Sequence, residues 1–249
     1  MLRRMVERAA ARMGLEVFPS GSRYSQDGLN TVHNDHFRFT PRFQAAYQRG
    51  LQAANGVDPR FEWRVHTALW AAEAALRVRG DFVECGVNAG FISSAIMHWL
   101  NWNETGRRFF LVDTWAGPPL TQYADAEARG RGQAKSGIQS GAYVTDLERV
   151  RRNFAEWPNA SVVQGAVPDI LPAIPADQVA FLHLDMNCAY PERAALEYFW
   201  PRLSEGAMVL LDDYAYCGYE HQAEAIDIVA DTVGAFVLSL PTGQGVIVR

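Results

Sequence analysis

The sequence predicts an α/β protein: a seven-stranded, mostly parallel sheet covered by helices and finished by an antiparallel hairpin. Two observations predict it. From residue 81 onward, short apolar runs alternate with stretches whose apolar residues recur three and four positions apart, the pattern of strands joined by crossover helices. The last two runs are separated only by "PTGQ", too short for a crossover, so they form a hairpin.

The first 60 residues are read as a helical cap over one end of the sheet. They open with "MLRRMVERAAARMG", a short amphipathic helix with Glu7 inside it and no cleavage site after it, and continue through the turn-rich "SGSRYSQDGLNTVHNDHFRFTPRF". The main domain, residues 61–249, begins with the helix "FEWRVHTALWAAEAALRV". The expected strands are "DFVEC" (81–85), "RFFLVD" (108–113), "SVVQG" (161–165), "VAFLHLD" (179–185), "MVLLD" (208–212), "AFVLSL" (235–240) and "GVIVR" (245–249). Helices between them are "GFISSAIMHWL", "VTDLERVRRNFAEW", "PERAALEYFW" and "YEHQAEAIDIVADTV", with small, polar or proline residues at their starts. Residues 116–143 form a Gly/Arg/Ser-rich stretch too long for an ordinary connection, and are read as a lid.

Composition narrows the partners. The chain has 249 residues, 49% of them apolar, enough for a full core, and a formal charge of −5, which gives no footprint for nucleic acid. Three cysteines without CxxC spacing, Cys85, Cys188 and Cys217, point to reduced core thiols in a cytoplasmic protein. No window has the roughly 18 apolar residues of a membrane span.

"DFVECGVNAGF" is a strand, a glycine turn and a helix start, an arrangement that brings a ligand to backbone amides. It lacks a proper dinucleotide fingerprint, and no GxxxxGK[ST] occurs in the chain. Glu84 at the turn suits a ligand with a cationic end, and Asp113, at the carboxyl end of the next strand, suits ribose hydroxyls. S-adenosylmethionine has both features and no phosphate. The contacts expected for it are Glu84, Gly86, Val87, Asn88, Gly90, Ser93, Asp113, Thr114, Trp115, Gly165 and Ala166. Together with the terminal hairpin, these positions predict the class I methyltransferase arrangement.

"MVLLDDY" ends a strand on two adjacent like charges, Asp212 and Asp213, a costly pairing unless a cation or solvent offsets it. In a class I sheet the neighbouring strand ends at Asp185. Three converging carboxylates suit Mg²⁺ or a similar hard divalent cation, which can acidify and orient a substrate hydroxyl.

The motifs "FEWRVHTALWAA", "GDFVECGV", "LVDTWAG", "LDMN", "PERAALEYFW", "LLDDY" and "LPTGQG" together resemble the macrocin O-methyltransferase (TylF-like) family of class I S-adenosylmethionine-dependent methyltransferases. The resemblance covers most of the chain. It implies metal-assisted methyl transfer to a sugar hydroxyl of a glycosylated natural product or glycan precursor, with Asp185, Asp212 and Asp213 as metal ligands and Glu84, Gly86 and Asp113 at the cofactor. It also allows a homo-oligomer. Asp185, or a hydroxide on the metal, is the expected base, and Tyr214 and Gln244 are expected to touch the sugar. His183 is read as a packed strand residue. Arg64 and His66 either line the cofactor pocket or form a solvated face, while Trp70, Trp99 and Trp200 belong to the core. The alternatives are a catechol-type O-methyltransferase and a non-catalytic ligand-binding protein of the same fold.

Overall fold

The computed structural model describes residues 21–124, 127 and 143–249, with six more between 5 and 13. Parts of the expected N-terminal helix and most of the expected lid lie outside the described residues; those of the former that are described, residues 5, 6, 9, 10 and 12, are helical. The chain starts with a small hairpin, β1 (Tyr24–Gln26) and β2 (Leu29–Thr31), followed by α1 (Pro41–Ala53) and α2 (Glu62–Ala75). Then come β3 (Asp81–Cys85), α3 (Phe91–Trp99), β4 (Phe109–Asp113), α4 (Leu147–Phe154), β5 (Ala160–Gln164) and β6 (Val179–Leu184). The last elements are α5 (Ala189–Phe199), β7 (Leu203–Leu211), α6 (Glu220–Val233), β8 (Leu238–Ser239) and β9 (Gly245–Val248).

Seven strands form one sheet in the order β5-β4-β3-β6-β7-β9-β8. The ladders among β3 to β7 are parallel, and β9 runs antiparallel to both β7 and β8. The predicted architecture is therefore present, final hairpin included. Its last but one strand is shorter than expected: within 235–240 only Leu238 and Ser239 pair, and Phe236 is exposed.

Period-two alternation splits the core between the two sheet faces. Phe82, Phe109, Leu111, Phe181, Met208 and Leu210 pack with α1, α2 and α3 on one face. Val83, Phe110, Val112, Leu182, Leu184, Val209 and Leu211 pack with α5 and α6 on the other. Helix α1 starts after Thr40, whose hydroxyl accepts from the Phe43 amide, and has Pro41 at its first position. It buries Phe43, Ala46, Tyr47, Gly50 and Ala53.

Two expectations about the core need correction. Trp70 is 56% exposed, because the small faces of Ala68, Ala71 and Ala72 carry α2's packing. Cys85 and Cys188 are buried, whereas Cys217 is exposed, in the turn after β7; none of the three forms a disulfide. Among the described residues, no helix is long and apolar enough to cross a membrane.

The register explains why the acidic residues meet. Leu184 pairs with both Cys85 and Leu211, and Cys85 also pairs with Val112, so the next residues along β4, β6 and β7 are Asp113, Asp185 and Asp212. All three leave the same carboxyl edge, Asp185 beside Asp212 and Asp113 on the other side of β3. The strand order reverses between β3 and its two neighbours, the switch point where open α/β sheets bind ligands.

Candidate active site

At that edge lies an open cleft of about 720 Å³, solvent at its mouth included. Gly86, Asn88, Asp113, Thr114, Gly165 and Asp185 line it, with Gly117, Pro118, Pro119 and Tyr143 from the ends of the expected lid. Gly86 is required sterically: at φ 96° its backbone passes so close to β6 that a Cβ would stand 1.8 Å from the Asp185 carbonyl oxygen. The crossing presses the cofactor turn against the residue that carries the site's third acid.

Asp113 is fixed by its own turn. Its Oδ2 accepts from the Asn88 amide at 2.7 Å and its Oδ1 from the Trp115 amide at 2.9 Å. Asn88, Trp115 and Asn187 all adopt positive φ, at 50°, 45° and 56°, each just past the end of β3, β4 or β6. The Trp115 indole donates to the Asn88 carbonyl at 3.0 Å, linking two of these turns.

Glu84 is buried, with Oε1 2.9 Å from His183 Nδ1 and Oε2 without a partner among the described residues. An orphaned buried carboxylate oxygen is an acceptor that an ammonium group would satisfy. This unmet acceptor and the free cleft wall at Asp113 fit S-adenosylmethionine. Glu84 itself does not line the cleft, nor do Val87, Gly90, Ser93, Trp115 and Ala166. Gly90 instead caps α3 at φ 83°, where a Cβ would meet the Phe154 ring at 2.5 Å.

Next to the cleft, Asp185, Asp212 and Asp213 each offer an oxygen within 4.8 Å of the others, a donor set suited to a hard divalent cation. The like-charge problem at Asp212 and Asp213 is met within the chain. Arg64 Nη1 bonds Asp212 Oδ2 at 2.7 Å and Asp213 Oδ1 at 3.2 Å, so Arg64 neither lines the cofactor pocket nor lies on a solvated face. Burial would raise the Asp212 carboxyl, but the Arg64 guanidinium and the His183 imidazole hold it well below the usual carboxylate range. For Asp185 the His183 charge offers only partial relief. Burial and the charges of Asp212 and Asp213 push it well above that range.

His183 is fully buried, and its Nε2 lies 3.8 Å from Asp212 Oδ1, a charge attraction rather than a hydrogen bond. Burial alone would lower its pKa, yet the carboxylates of Asp212 and Glu84 raise it to about 10. A charged imidazolium at neutral pH is a poor base, in keeping with its reading as a packed residue. His66 is half-buried and stacks on Phe37, with ring centroids 3.9 Å apart, away from the cleft lining.

Residues 64–228 match the macrocin-O-methyltransferase (TylF) family. The chain belongs to that family. It is 34% identical over 172 residues to the 8-demethyl-8-(2,3-dimethoxy-alpha-L-rhamnosyl)-tetracenomycin-C 4'-O-methyltransferase of Streptomyces olivaceus, covering 67% of this chain and 63% of that one. It is 30% identical over 145 residues to the demethyldecarbamoylnovobiocin O-methyltransferase of Streptomyces niveus, covering 56% of this chain and 55% of that one. The chain thus spans less than two thirds of the length of either curated relative. Among solved structures it superposes on the O-methyltransferase NovP with a TM-score of 0.63, at 24% identity, over 75% of this chain and 79% of that one. That likeness shows the class I methyltransferase fold.

The two residues expected to touch a sugar have other side chains as partners in this TylF-family chain. Gln244 is fully buried, and its Nε2 donates to Asp212 Oδ1 at 3.0 Å while its Oε1 accepts from Thr242. From the β8–β9 turn it braces the aspartate at the end of β7. The Tyr214 hydroxyl donates to Asp227 on α6 at 2.6 Å, and its ring packs over Gly245. Sequence reasoning missed Asn187, whose Nδ2 donates to Asp185 Oδ1 at 3.1 Å, and Tyr219, whose hydroxyl donates to Asn187 Oδ1 at 2.8 Å. The signal available for Asn187 was its place two residues after Asp185 in "LDMN".

Proposed function

We propose that this chain is an S-adenosylmethionine-dependent O-methyltransferase that uses a divalent cation, Mg²⁺ or one like it, and acts on a sugar hydroxyl of a natural product or glycan precursor. The observation that carries the reading is the exit of Asp185 and Asp212 from adjacent strands at one sheet edge, where Asp213 completes the acidic cluster, with Asp113 on the far side of β3 in the cleft. Membership of the TylF family and the sugar-bearing acceptor in the name of the Streptomyces olivaceus relative support the choice of substrate.

When bound, S-adenosylmethionine supplies the methyl group and the divalent ion supplies the acidity of the acceptor hydroxyl. The chain's own residues prepare for both. Asp113, already held by two backbone amides, keeps lone pairs aimed for ribose hydroxyls at no further ordering cost. Glu84 offers a buried acceptor to the ammonium end. Asp185 is the proton acceptor, oriented by Asn187 and through it by Tyr219.

The test is calorimetry on chelator-stripped protein, with S-adenosylmethionine and then Mg²⁺, followed by methyl transfer to glycosylated acceptors. Asp212→Asn should bind the cofactor nearly normally and lose metal-dependent turnover by about 100-fold or more, the scale of a lost electrostatic stabiliser. Full turnover in that variant would remove the metal assignment. Absence of S-adenosylmethionine binding in the wild type would overturn the whole reading.

A further inference from the structure

Arg64 stands inside the carboxylate cluster. Besides its bonds to the Asp212 and Asp213 side chains, Nη1 donates to the Asp212 carbonyl at 3.0 Å. On its other side, Nε bonds Asp27 Oδ2 at 2.7 Å, and the guanidinium lies 4.6 Å from the Tyr216 ring centroid. The side chain is 7% exposed, so water does little to weaken these attractions. Asp27 belongs to the β1–β2 turn, in the segment before the family match begins.

We propose that Arg64 is a resident cation that competes with the divalent ion for Asp212 and Asp213, and that Asp27 tunes the contest by holding the guanidinium from the opposite side. The inference rests on the metal reading of the site. Two of the three candidate ligands are charge-paired with Arg64 in the structure; among the described residues, no cation pairs with Asp185. A divalent ion binding all three would therefore share Asp212 and Asp213 with a positive charge at close range, and like charges at that separation in a buried site repel strongly. Loading the site means loosening Arg64 from the pair, with Asp27 and the Tyr216 face already in contact to keep it. The hairpin at the start of the described chain is thereby coupled to metal affinity.

The signs separate this role from scaffolding. A scaffold lost would slacken the ligands and weaken metal binding. A competitor lost strengthens it. The experiment measures Mn²⁺ affinity by electron paramagnetic resonance on chelator-stripped protein, for wild type, Arg64→Gln, Asp27→Asn and the double variant. Arg64→Gln should bind Mn²⁺ at least tenfold more tightly, and Asp27→Asn severalfold more weakly. In the Arg64→Gln background the Asp27 change should have little effect, because Asp27 acts through the guanidinium.

Equal or weaker Mn²⁺ binding by folded Arg64→Gln overturns the proposal while leaving the metal site in place. If Arg64→Gln does not fold, Asp27→Asn decides alone, and unchanged or tighter binding in that variant overturns the proposal. Mn²⁺ binding by Arg64→Gln but not by wild type supports it. No binding by either protein overturns the metal reading, and this inference falls with it.

Discussion

Asp212 and Asp213 show how a costly local sequence becomes tolerable only through distant residues. The partner that offsets their repulsion, Arg64, is 148 positions from Asp212, and Gln244, which braces the same carboxylate, is 32 positions away. The acids themselves were legible, since strand ends are visible in the apolar pattern; the pairing was not, because nothing local to Arg64 says which strand end it will meet. Glu192 makes the same point and carries a prediction. It sits in the first turn of α5, fully buried, with Oε1 accepting from the amides of Met186 and Asn187 and from Gln222 Nε2. Burial, helped by the charge of Asp213, outweighs those donors and raises its pKa from 4.5 to about 7. The folded state therefore binds more protons than the unfolded state between these values, and Glu192's contribution is full below 4.5 and lost as pH rises through 7. Glu192→Gln does not titrate. In urea denaturation of metal-free protein, wild type should lose up to about 3 kcal/mol relative to this variant between pH 5 and pH 8. A stability difference equal at both pH values would mean that Glu192 ionises in the ordinary carboxylate range.

At the level of elements, the sheet was the most readable part. Its strands are apolar runs bounded by glycine or acid, and β3, β4 and β6 start and stop within a residue or so of the expected limits. Helix α1 escaped notice because its buried stripe is built largely from Ala46, Gly50 and Ala53, which carry little hydrophobic signal, and because it follows a turn-rich segment. Strand β8 was overextended since "AFVLSL" has strand composition, but an edge position leaves Phe236 without a facing layer. Gly50 is what lets α1 sit close on α3: a Cβ there would lie 2.5 Å from two atoms of the buried Phe91 ring. Gly50→Ala gains up to about 1 kcal/mol of helix propensity. Overpacking costs about 1–3 kcal/mol when the neighbour is confined, and Phe91 is the first residue of α3, directly after the Gly90 turn. We expect a net loss of about 1–2 kcal/mol in chemical denaturation. A variant more stable than wild type would show that Phe91 can move aside freely.

For the whole molecule, the site draws on the ends of β3, β4, β6 and β7, the strands at the centre of the sheet, so ligand binding is linked to the cooperative unfolding of the domain rather than to a peripheral loop. S-adenosylmethionine at a hundred times its Kd should stabilise the fold by about 2.7 kcal/mol. For a chain of this size each kcal/mol moves Tm by about 2–4 °C, giving an upward shift of roughly 5–10 °C. Asp113→Ala should weaken cofactor binding by ~1–3 kcal/mol, since it removes charge-assisted acceptors. At the same ligand concentration, a loss near the middle of that range raises Kd about 30-fold and should leave about a third of the shift. The measurement is thermal unfolding of both proteins with and without ligand, each compared with its own ligand-free Tm, because Asp113 also accepts two backbone amides and its removal lowers the baseline. An undiminished shift in Asp113→Ala would place the ribose elsewhere in the cleft. A shift absent from wild type would count against S-adenosylmethionine as the ligand of this edge.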